Sequence, residues 1–129
     1  MIPEFPPETP LPFWQALDVL VASHDIIIDR PRGTAHPRYP DDIYPLDYGF
    51  LRGTSAGDGE GIDLWLGTLE GKRVCGVIVT VDLLKGDSEI KLLLSCTAEE
   101  MREILGRHSK GKQSAMLIER EGVLATESP

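Results

Sequence analysis

The segment RVCGVIVTVDLLKGDSEIKLLL, residues 73–94, predicts a long β-hairpin. Apolar residues fill both halves, and the Lys-Gly pair at 85–86 is typical of a tight turn. If those two residues alone form the turn, Asp82 lies directly opposite Glu89, and facing like charges destabilise a strand pair. A three-residue turn would place Asp82 opposite Ile90 instead. Because side chains alternate along strands, we expect one face to collect acids and a lysine, and the other to form core.

Two helices are predicted outside the hairpin. In residues 12–23 a proline suits the first turn, and apolar residues recur at helical spacing. In residues 97–108, Thr97 and Glu100 form a capping-box pattern. We therefore predict an α+β fold with a small barrel or curled sheet. The remaining segments are strands at 25–29 and 61–69, an ordered loop or sheet edge at 31–46, and residues 113–121, which fit either helix or strand.

Length and composition limit the class of protein. The 129 residues predict one domain at 11–129, after a proline-rich tail at 1–10. The net charge of −8 argues against a nucleic-acid partner, because phosphate backbones are bound by clustered Lys and Arg. We expect no membrane association, since no apolar run could cross a bilayer and no secretory signal is recognisable. Cys75 and Cys96 form no CxxC pair, so we expect reduced thiols and a cytoplasmic protein.

The glycine-rich stretch YPLDYGFLRGTSAGDGEGID, residues 44–63, places three carboxylates close together at Asp58, Glu60 and Asp63. Three neighbouring carboxylates repel one another, so they need either open water or a bound cation. A solvated turn is the simpler interpretation. An EF-hand is a poor fit, because Leu69 stands where the bidentate Glu would be. A second acidic group in the hairpin favours a shared site for a hard cation such as Mg²⁺.

Four segments within residues 26–94 occur in the order and spacing of a known enzyme family. YPLDYGF matches the pattern Tyr-Pro-x-x-Tyr-Gly-Tyr, and DGEGID, starting at residue 58, matches Asp-Gly-Asp-Pro-x-Asp. IIIDRPRGTAHPRY, from residue 26, and GVIVTVDLLKGDSEIK, from residue 76, supply the other two. The sequence resembles the soluble inorganic pyrophosphatases of the first family.

This resemblance implies an Mg²⁺-dependent hydrolase that cleaves pyrophosphate into two phosphates in phosphate metabolism. It implies a five-stranded OB-like β-barrel with an N-terminal and a C-terminal helix, several Mg²⁺ ions that Mn²⁺ could replace, and a cytoplasmic homo-oligomer. Three alternatives stay open. The protein could hydrolyse another phosphoanhydride, or it could be a metal- or anion-binding barrel without turnover. It could also be an interaction module that uses Phe13, Trp14 and its proline-rich tail.

The resemblance also implies site residues. Glu60 stands at the position that orients and deprotonates the attacking water. The hairpin argument favours Glu89 over Asp87 as a bridging metal ligand, because Glu89 would face Asp82 across a two-residue turn. The implied metal ligands are Asp29, Asp58, Asp63, Asp82 and Glu89, and the implied substrate-binding residues are Arg38, Tyr44, Tyr48 and Lys91.

The sequence departs from the family pattern at four places. Glu60 replaces Asp, which lengthens a group whose reach matters for catalysis, and Gly61 replaces Pro, which loosens the loop. Residues 39–44 are too short for the family's hairpin with its phosphate-binding arginine. The family's late Tyr-Lys pair has no clear counterpart. The basic segment GRHSKGK at 106–112 lies at the end of the chain where that pair would be expected. Basic residues after a helix also complement its dipole.

Overall fold

The structure is a computed structural model that describes residues 10–57 and 59–121. Nearly all of the predicted tail therefore lies outside the described residues. Both predicted helices are confirmed, and the segment 113–121 contains a strand. The elements are α1 (Phe13–Ala22), β1 (Ile26–Arg30), β2 (Asp47–Leu51), β3 (Ile62–Leu66), β4 (Val74–Asp82), β5 (Asp87–Leu94), α2 (Ala98–Arg107) and β6 (Gln113–Glu119).

The strands form one sheet in the order β1-β2-β3-β5-β4-β6. Neighbouring strands are antiparallel except β3 and β5, which are parallel. The predicted α+β class is confirmed. The predicted five-stranded barrel is not, because the sheet has six strands and β1 and β6 remain its two open edges within the described residues. The sixth strand is β6, whose short apolar segment did not distinguish helix from strand in the sequence.

Strand β2 lies inside the stretch that the glycine content marked as a loop. It pairs with β1 on one side and with β3 on the other. A Cβ atom at Gly49 would lie 1.8 Å from the carbonyl oxygen of Ile27, so β1 and β2 approach this closely only because residue 49 is glycine. The glycine therefore permits a strand here instead of ending one.

The register of the β4–β5 hairpin differs from the predicted one. The turn spans the four residues 83–86. Asp82 faces Asp87, and Glu89 faces Thr80, so the expected Asp82–Glu89 pair is wrong. The difference is a shift of two residues, and an even shift leaves every side chain on its predicted face. The acidic side chains of the hairpin therefore still lie on one face, as predicted.

The two helices cover opposite faces of the sheet. Val77 and Ile78 are consecutive on β4 and point to opposite sides. Val77 packs in a buried cluster with Val21 of α1, whereas Ile78 packs in a second cluster with Met101 and Ile104 of α2. We call these sides the α1 face and the α2 face. Neither helix in the described part of the chain is long and apolar enough to cross a membrane.

The N-terminus of α2 is capped as the sequence predicts. The Thr97 hydroxyl accepts the N–H of Glu100 at 3.1 Å, and the Glu100 carboxylate accepts the N–H of Thr97 at 3.0 Å. The same carboxylate accepts the Thr68 hydroxyl at 2.7 Å. This contact ties the start of α2 to the loop after β3. It helps to fix the orientation of α2 on the sheet, and with it the position of the residues at the C-terminal end of the helix.

Candidate active site

A cavity of about 810 Å³ opens on the α2 face of the sheet. Its floor comes from β2 to β5, and its walls come from the loop at 36–42 and the segment at 107–113. Charged side chains of both signs line it. The acids are Asp41, Asp42, Asp82, Asp87 and Glu89, and the bases are Lys85, Lys91, Arg107 and Lys110.

Lys91 is buried on the cavity floor, with 6% of its surface exposed. An ammonium group has three N–H donors, and each has a partner here. Nζ of Lys91 lies 3.0 Å from the Tyr48 hydroxyl, 3.1 Å from Oδ2 of Asp63 and 3.1 Å from Oε1 of Glu89. These partners come from β2, β3 and β5, so one side chain joins three strands.

The protonation states around Lys91 follow from burial and charge. Burial alone would lower the pKa of Lys91, but its contacts with Tyr48, Asp63 and Glu89 outweigh burial and raise that pKa. The ammonium therefore stays charged. Burial raises the pKa of Tyr48 above its ordinary value, so the phenol stays neutral. With two carboxylates and one ammonium, the group keeps an excess negative charge.

Asp82 and Asp87 face each other at the end of the hairpin. Oδ1 of Asp82 accepts the backbone N–H groups of Leu84 and Lys85 at 3.0 and 2.9 Å, which closes the turn. Both hydrogen bonds use Oδ1, and Asp82 lines the cavity. Two facing carboxylates repel each other, so this end of the cavity favours a bound cation.

Trp65 and His108 form the inner wall beside Lys91. The indole N–H of Trp65 donates to Nε2 of His108 at 3.1 Å, which requires an unprotonated Nε2. Burial, assisted by the charge of Lys91, lowers the pKa of His108 to about 4. His108 is therefore neutral at physiological pH and holds the buried indole in place.

Tyr44 is buried in the wall and is held by two arginines. Its hydroxyl accepts a hydrogen bond from Nη1 of Arg30 at 3.0 Å, and the guanidinium of Arg107 lies 4.6 Å from its ring centroid. Arg107 also makes a two-point ion pair with Asp42, at 2.8 and 3.0 Å. The arginine in the last turn of α2 thus fixes the loop at 36–42 against the helix.

The predicted site residues fall into two groups. Tyr44, Tyr48, Asp82, Glu89 and Lys91 line the cavity, as does the alternative ligand Asp87. Asp63 joins them through Lys91, and with Glu89 it lines a second cavity of about 470 Å³ beside residues 55–57.

Three predicted residues lie away from the cavity lining. Asp29 is exposed at the β-bulge between Ile28 and Arg30. Arg38 and Glu60 are also exposed, Arg38 in the loop before Tyr39 and Glu60 in the bend before β3. Asp58 lies outside the described residues. The roles assigned to all these residues stay predictions.

Several residues of the cavity were given no role from the sequence. Trp65 follows Asp63 by two positions and so shares its face, which strand alternation alone would have indicated. Thr80 could have been found in the same way from Asp82. His36, Tyr39 and His108 carry no such signal, because loop folding and helix packing bring them to the cavity.

A divalent cation such as Mg²⁺ needs several oxygen donors that converge on one point. Within the described ranges 10–57 and 59–121, no three His, Cys, Asp or Glu side chains form a ready-made metal cluster. The carboxylates of Asp82, Asp87 and Glu89 nevertheless line the same cavity, and their oxygens are the hard donors that Mg²⁺ prefers. The donor chemistry therefore fits Mg²⁺ at the hairpin end of the cavity.

The fold is similar to that of inorganic pyrophosphatases. The structure is similar to an inorganic pyrophosphatase from Neisseria gonorrhoeae, with a TM-score of 0.55 and 20% identity over 73% of this chain and 80% of that one. It is also similar to an inorganic pyrophosphatase from Helicobacter pylori, with a TM-score of 0.53 and 14% identity over 79% of this chain and 90% of that one. No protein-family model and no curated protein matches the sequence. At these identities the likeness concerns the fold.

Proposed function

We propose that the protein hydrolyses inorganic pyrophosphate to two phosphates in an Mg²⁺-dependent reaction. The observation that carries the proposal is the joint placement of Asp82, Asp87, Glu89 and Lys91 in one cavity of a pyrophosphatase-like fold. Pyrophosphate is highly charged, so a chain with a net charge of −8 can bind it only through cations. In such a cavity the carboxylates can bind the metal, and the lysines can bind the phosphate oxygens of the substrate.

The residues proposed to hold Mg²⁺ or Mn²⁺ are carboxylates on neighbouring elements. When bound, Mg²⁺ would offset the charge of pyrophosphate and acidify the attacking water. Asp87 and Glu89 compete for the bridging role, since Asp87 faces Asp82 and Glu89 binds Lys91. The full set is Asp29, Asp58, Asp63, Asp82 and either Glu89 or Asp87.

The chain's own residues are proposed to orient the reactants. Lys91 holds Asp63 and Glu89 at 3.1 Å each and adds positive charge beneath the substrate. Neutral Tyr48 could donate its phenol proton to a phosphate oxygen. Glu60 is proposed as the base that takes a proton from water, and Arg38 and Tyr44 are proposed to assist in substrate binding.

Two alternatives each have an observation in their favour. The three donors of Lys91 are all engaged, which favours a binding protein without turnover. The cavity of about 810 Å³ lies in the range that holds small organic ligands, which favours a larger phosphoanhydride.

The test is phosphate release from Mg-pyrophosphate. We expect turnover by the wild type, a loss of about 100-fold in Asp63→Asn, and full activity in Glu103→Gln, which removes an exposed charge of α2 outside the cavity. Far-UV circular dichroism would verify folding. Equal release by wild type and Asp63→Asn would reveal a contaminating enzyme. Tight Mn²⁺ binding without turnover would establish the binding protein instead.

We also propose that the protein is cytoplasmic and forms a homo-oligomer. The sequence has two cysteines, Cys75 and Cys96, and neither lies in a CxxC pair, which suits a reducing compartment. Met116 and Ile118 on the edge strand β6 are 59% and 40% exposed, and such an apolar strand can pair with a second copy. Light scattering after size exclusion should show an oligomer that Met116→Lys weakens. A monomeric wild type would refute the assembly.

A further inference from the structure

We infer that the cavity accepts nucleoside diphosphates, with the base against the His36 and Tyr39 rings and the diphosphate towards the β4–β5 acids. This inference rests on the proposed function, because it concerns the same phosphoanhydride chemistry. It adds a binding region for an organic group at the outer end of the cavity.

The first support is an exposed aromatic pair on the cavity wall. Tyr39 is 61% exposed, and its ring centroid lies 5.0 Å from that of His36. Behind it, the His36 ring stacks on buried Tyr44, with planes 9° apart and centroids 6.2 Å apart. Such rings offer a stacking surface, and nucleobases of any type stack on aromatic side chains.

The second support is the order of the loop that carries these rings. The N–H of His36 donates to the carbonyl of Asp42 at 2.8 Å, and the N–H of Asp42 donates to the carbonyl of Tyr39 at 2.9 Å. The N–H of Tyr39 donates to the carbonyl of His36 at 3.2 Å. Arg107 holds the Asp42 side chain as well. An exposed ring on a well-bonded loop is a pre-organised contact, which limits the entropy lost on binding.

The third support is the polar chemistry between the rings and the acids. Asp41 is exposed, lines the cavity, and makes no hydrogen bond or ion pair with other described residues. A carboxylate at such a position can accept hydrogen bonds from ribose hydroxyls, as it does in other nucleotide sites. Asp41 follows Tyr39 by two residues in the same loop and lines the same cavity, so a ribose attached to a base stacked on the rings would come within its reach.

The fourth support is a pair of uncommitted cations. Lys85 in the hairpin turn and Lys110 after α2 line the same cavity, and neither ammonium pairs with a carboxylate within the described ranges. Lys91, by contrast, has no donor left. The lysines at 85 and 110 are therefore the cations that can meet the phosphate oxygens of an entering ligand.

The chemical step is the same as for pyrophosphate. Water adds to the terminal phosphorus, and the bond between that phosphorus and the bridging oxygen breaks. The bridging oxygen leaves with the nucleoside monophosphate. The other product is inorganic phosphate, and the proton lost from water passes to Glu60, the proposed base, and from there to solvent. No oxidant, reductant or second substrate is required.

The test compares Mg-ADP with Mg-pyrophosphate, using isothermal titration calorimetry for binding and phosphate release for turnover. We expect the wild type to bind and hydrolyse both. Tyr39→Ala should lower the affinity for ADP about 10-fold relative to that for pyrophosphate. Tyr39→Phe, which keeps a ring, should retain the wild-type ratio, and Phe13→Ala, which removes an exposed ring of α1, serves as the matched control.

The outcomes separate the two proposals. Turnover of pyrophosphate without any ADP binding overturns the inference and leaves the proposed function intact. An unchanged affinity ratio in Tyr39→Ala also overturns the inference. If neither compound is hydrolysed, the proposed function fails, while ADP binding that weakens in Tyr39→Ala still supports the nucleoside region.

Discussion

Lys91 and Asp63 occupy facing positions on two parallel strands, with Nζ of Lys91 3.1 Å from Oδ2 of Asp63. Asp63 directly precedes Leu64, and Lys91 directly precedes Leu92. Leu64 and Leu92 form the first residue pair between β3 and β5. The ion pair therefore stands where the ladder between the strands begins. Glu89 binds the same ammonium, so the strand junction and the candidate active site share one lysine.

Lys91→Met should destabilise the protein by about 3 kcal/mol, because it leaves the carboxylates of Asp63 and Glu89 without their shared cation. The lysine side chain is only 8% exposed, so water cannot replace it readily. Urea unfolding in the absence of divalent ions measures the change. In a double-mutant cycle, Asp63→Asn should recover about 1 kcal/mol of the loss. Strictly additive effects would show that the two residues do not interact.

Asp82→Asn separates the structural role of Asp82 from its proposed metal role. Asparagine keeps an oxygen that can accept the Leu84 and Lys85 N–H groups, so stability should stay within about 0.5 kcal/mol of the wild type. Asp82→Ala loses these bonds and should cost about 1 kcal/mol. Both variants should show a smaller rise in melting temperature with added Mg²⁺ than the wild type does. A wild-type response to Mg²⁺ in Asp82→Asn would remove this residue from the metal site.

His108 should make the protein less stable in acid. Burial, with the charges of Lys91 and Arg107, lowers the pKa of His108 from 6.5 to about 4, against smaller opposing effects of a hydrogen bond with Gln113 and of the charge of Glu89. Between pH 6.5 and pH 4 the unfolded chain binds a proton at His108 and the folded chain does not. The contribution of neutral His108 to the free energy of unfolding is therefore complete above pH 6.5 and declines towards pH 4. The free energy of unfolding should fall by roughly 3 kcal/mol at most from this cause.

The matched variant is His108→Gln, whose side-chain oxygen can still accept the Trp65 indole N–H. Urea unfolding at several pH values between 6.5 and 4 gives the free energy of unfolding for both proteins. The wild-type curve should fall more steeply than the variant curve. Parallel curves would mean that His108 does not supply the acid sensitivity.

Gly49→Ala should prevent the close pairing of β1 and β2. The added Cβ would lie 1.8 Å from the Ile27 carbonyl oxygen, a contact that only a backbone shift can relieve, so we expect a loss of about 3 kcal/mol. Gly106→Ala in α2 is the control, because a Cβ there meets nothing within 4 Å. It should stabilise the helix by about 0.5 kcal/mol. Thermal unfolding would compare them, and equal melting temperatures would refute the steric argument.

Local patterns predicted those elements whose signals lie within a few residues. The capping box at Thr97 and Glu100 depends on neighbours in the chain, and both its hydrogen bonds are present. The alternation that grouped Asp82, Glu89 and Lys91 on one face also held, since a register shift of two residues preserves faces. The turn length itself was wrong, because Asp82 closes a four-residue turn with its own side chain.

The sequence predicted part of the candidate site. The resemblance brought forward Tyr48, Asp82, Glu89 and Lys91, which do share a cavity. It gave no indication of the His36–Tyr39 pair or of the Trp65–His108 hydrogen bond. The Trp65–His108 hydrogen bond joins residues far apart in the chain and depends on how α2 packs on the sheet. The His36–Tyr39 pair is local, but it depends on the irregular fold of the loop at 36–42.

Periodicity and capping in the chain alone were sufficient for the α+β class, both helices and the acidic face of the hairpin, because these properties depend on near neighbours. The open six-stranded order and the hydrogen-bond partners of Lys91 came only from tertiary structure. A lysine two residues after a glutamate is ordinarily solvated. Here the meeting of β2, β3 and β5 removes its water, and Tyr48, Asp63 and Glu89 take the place of that water.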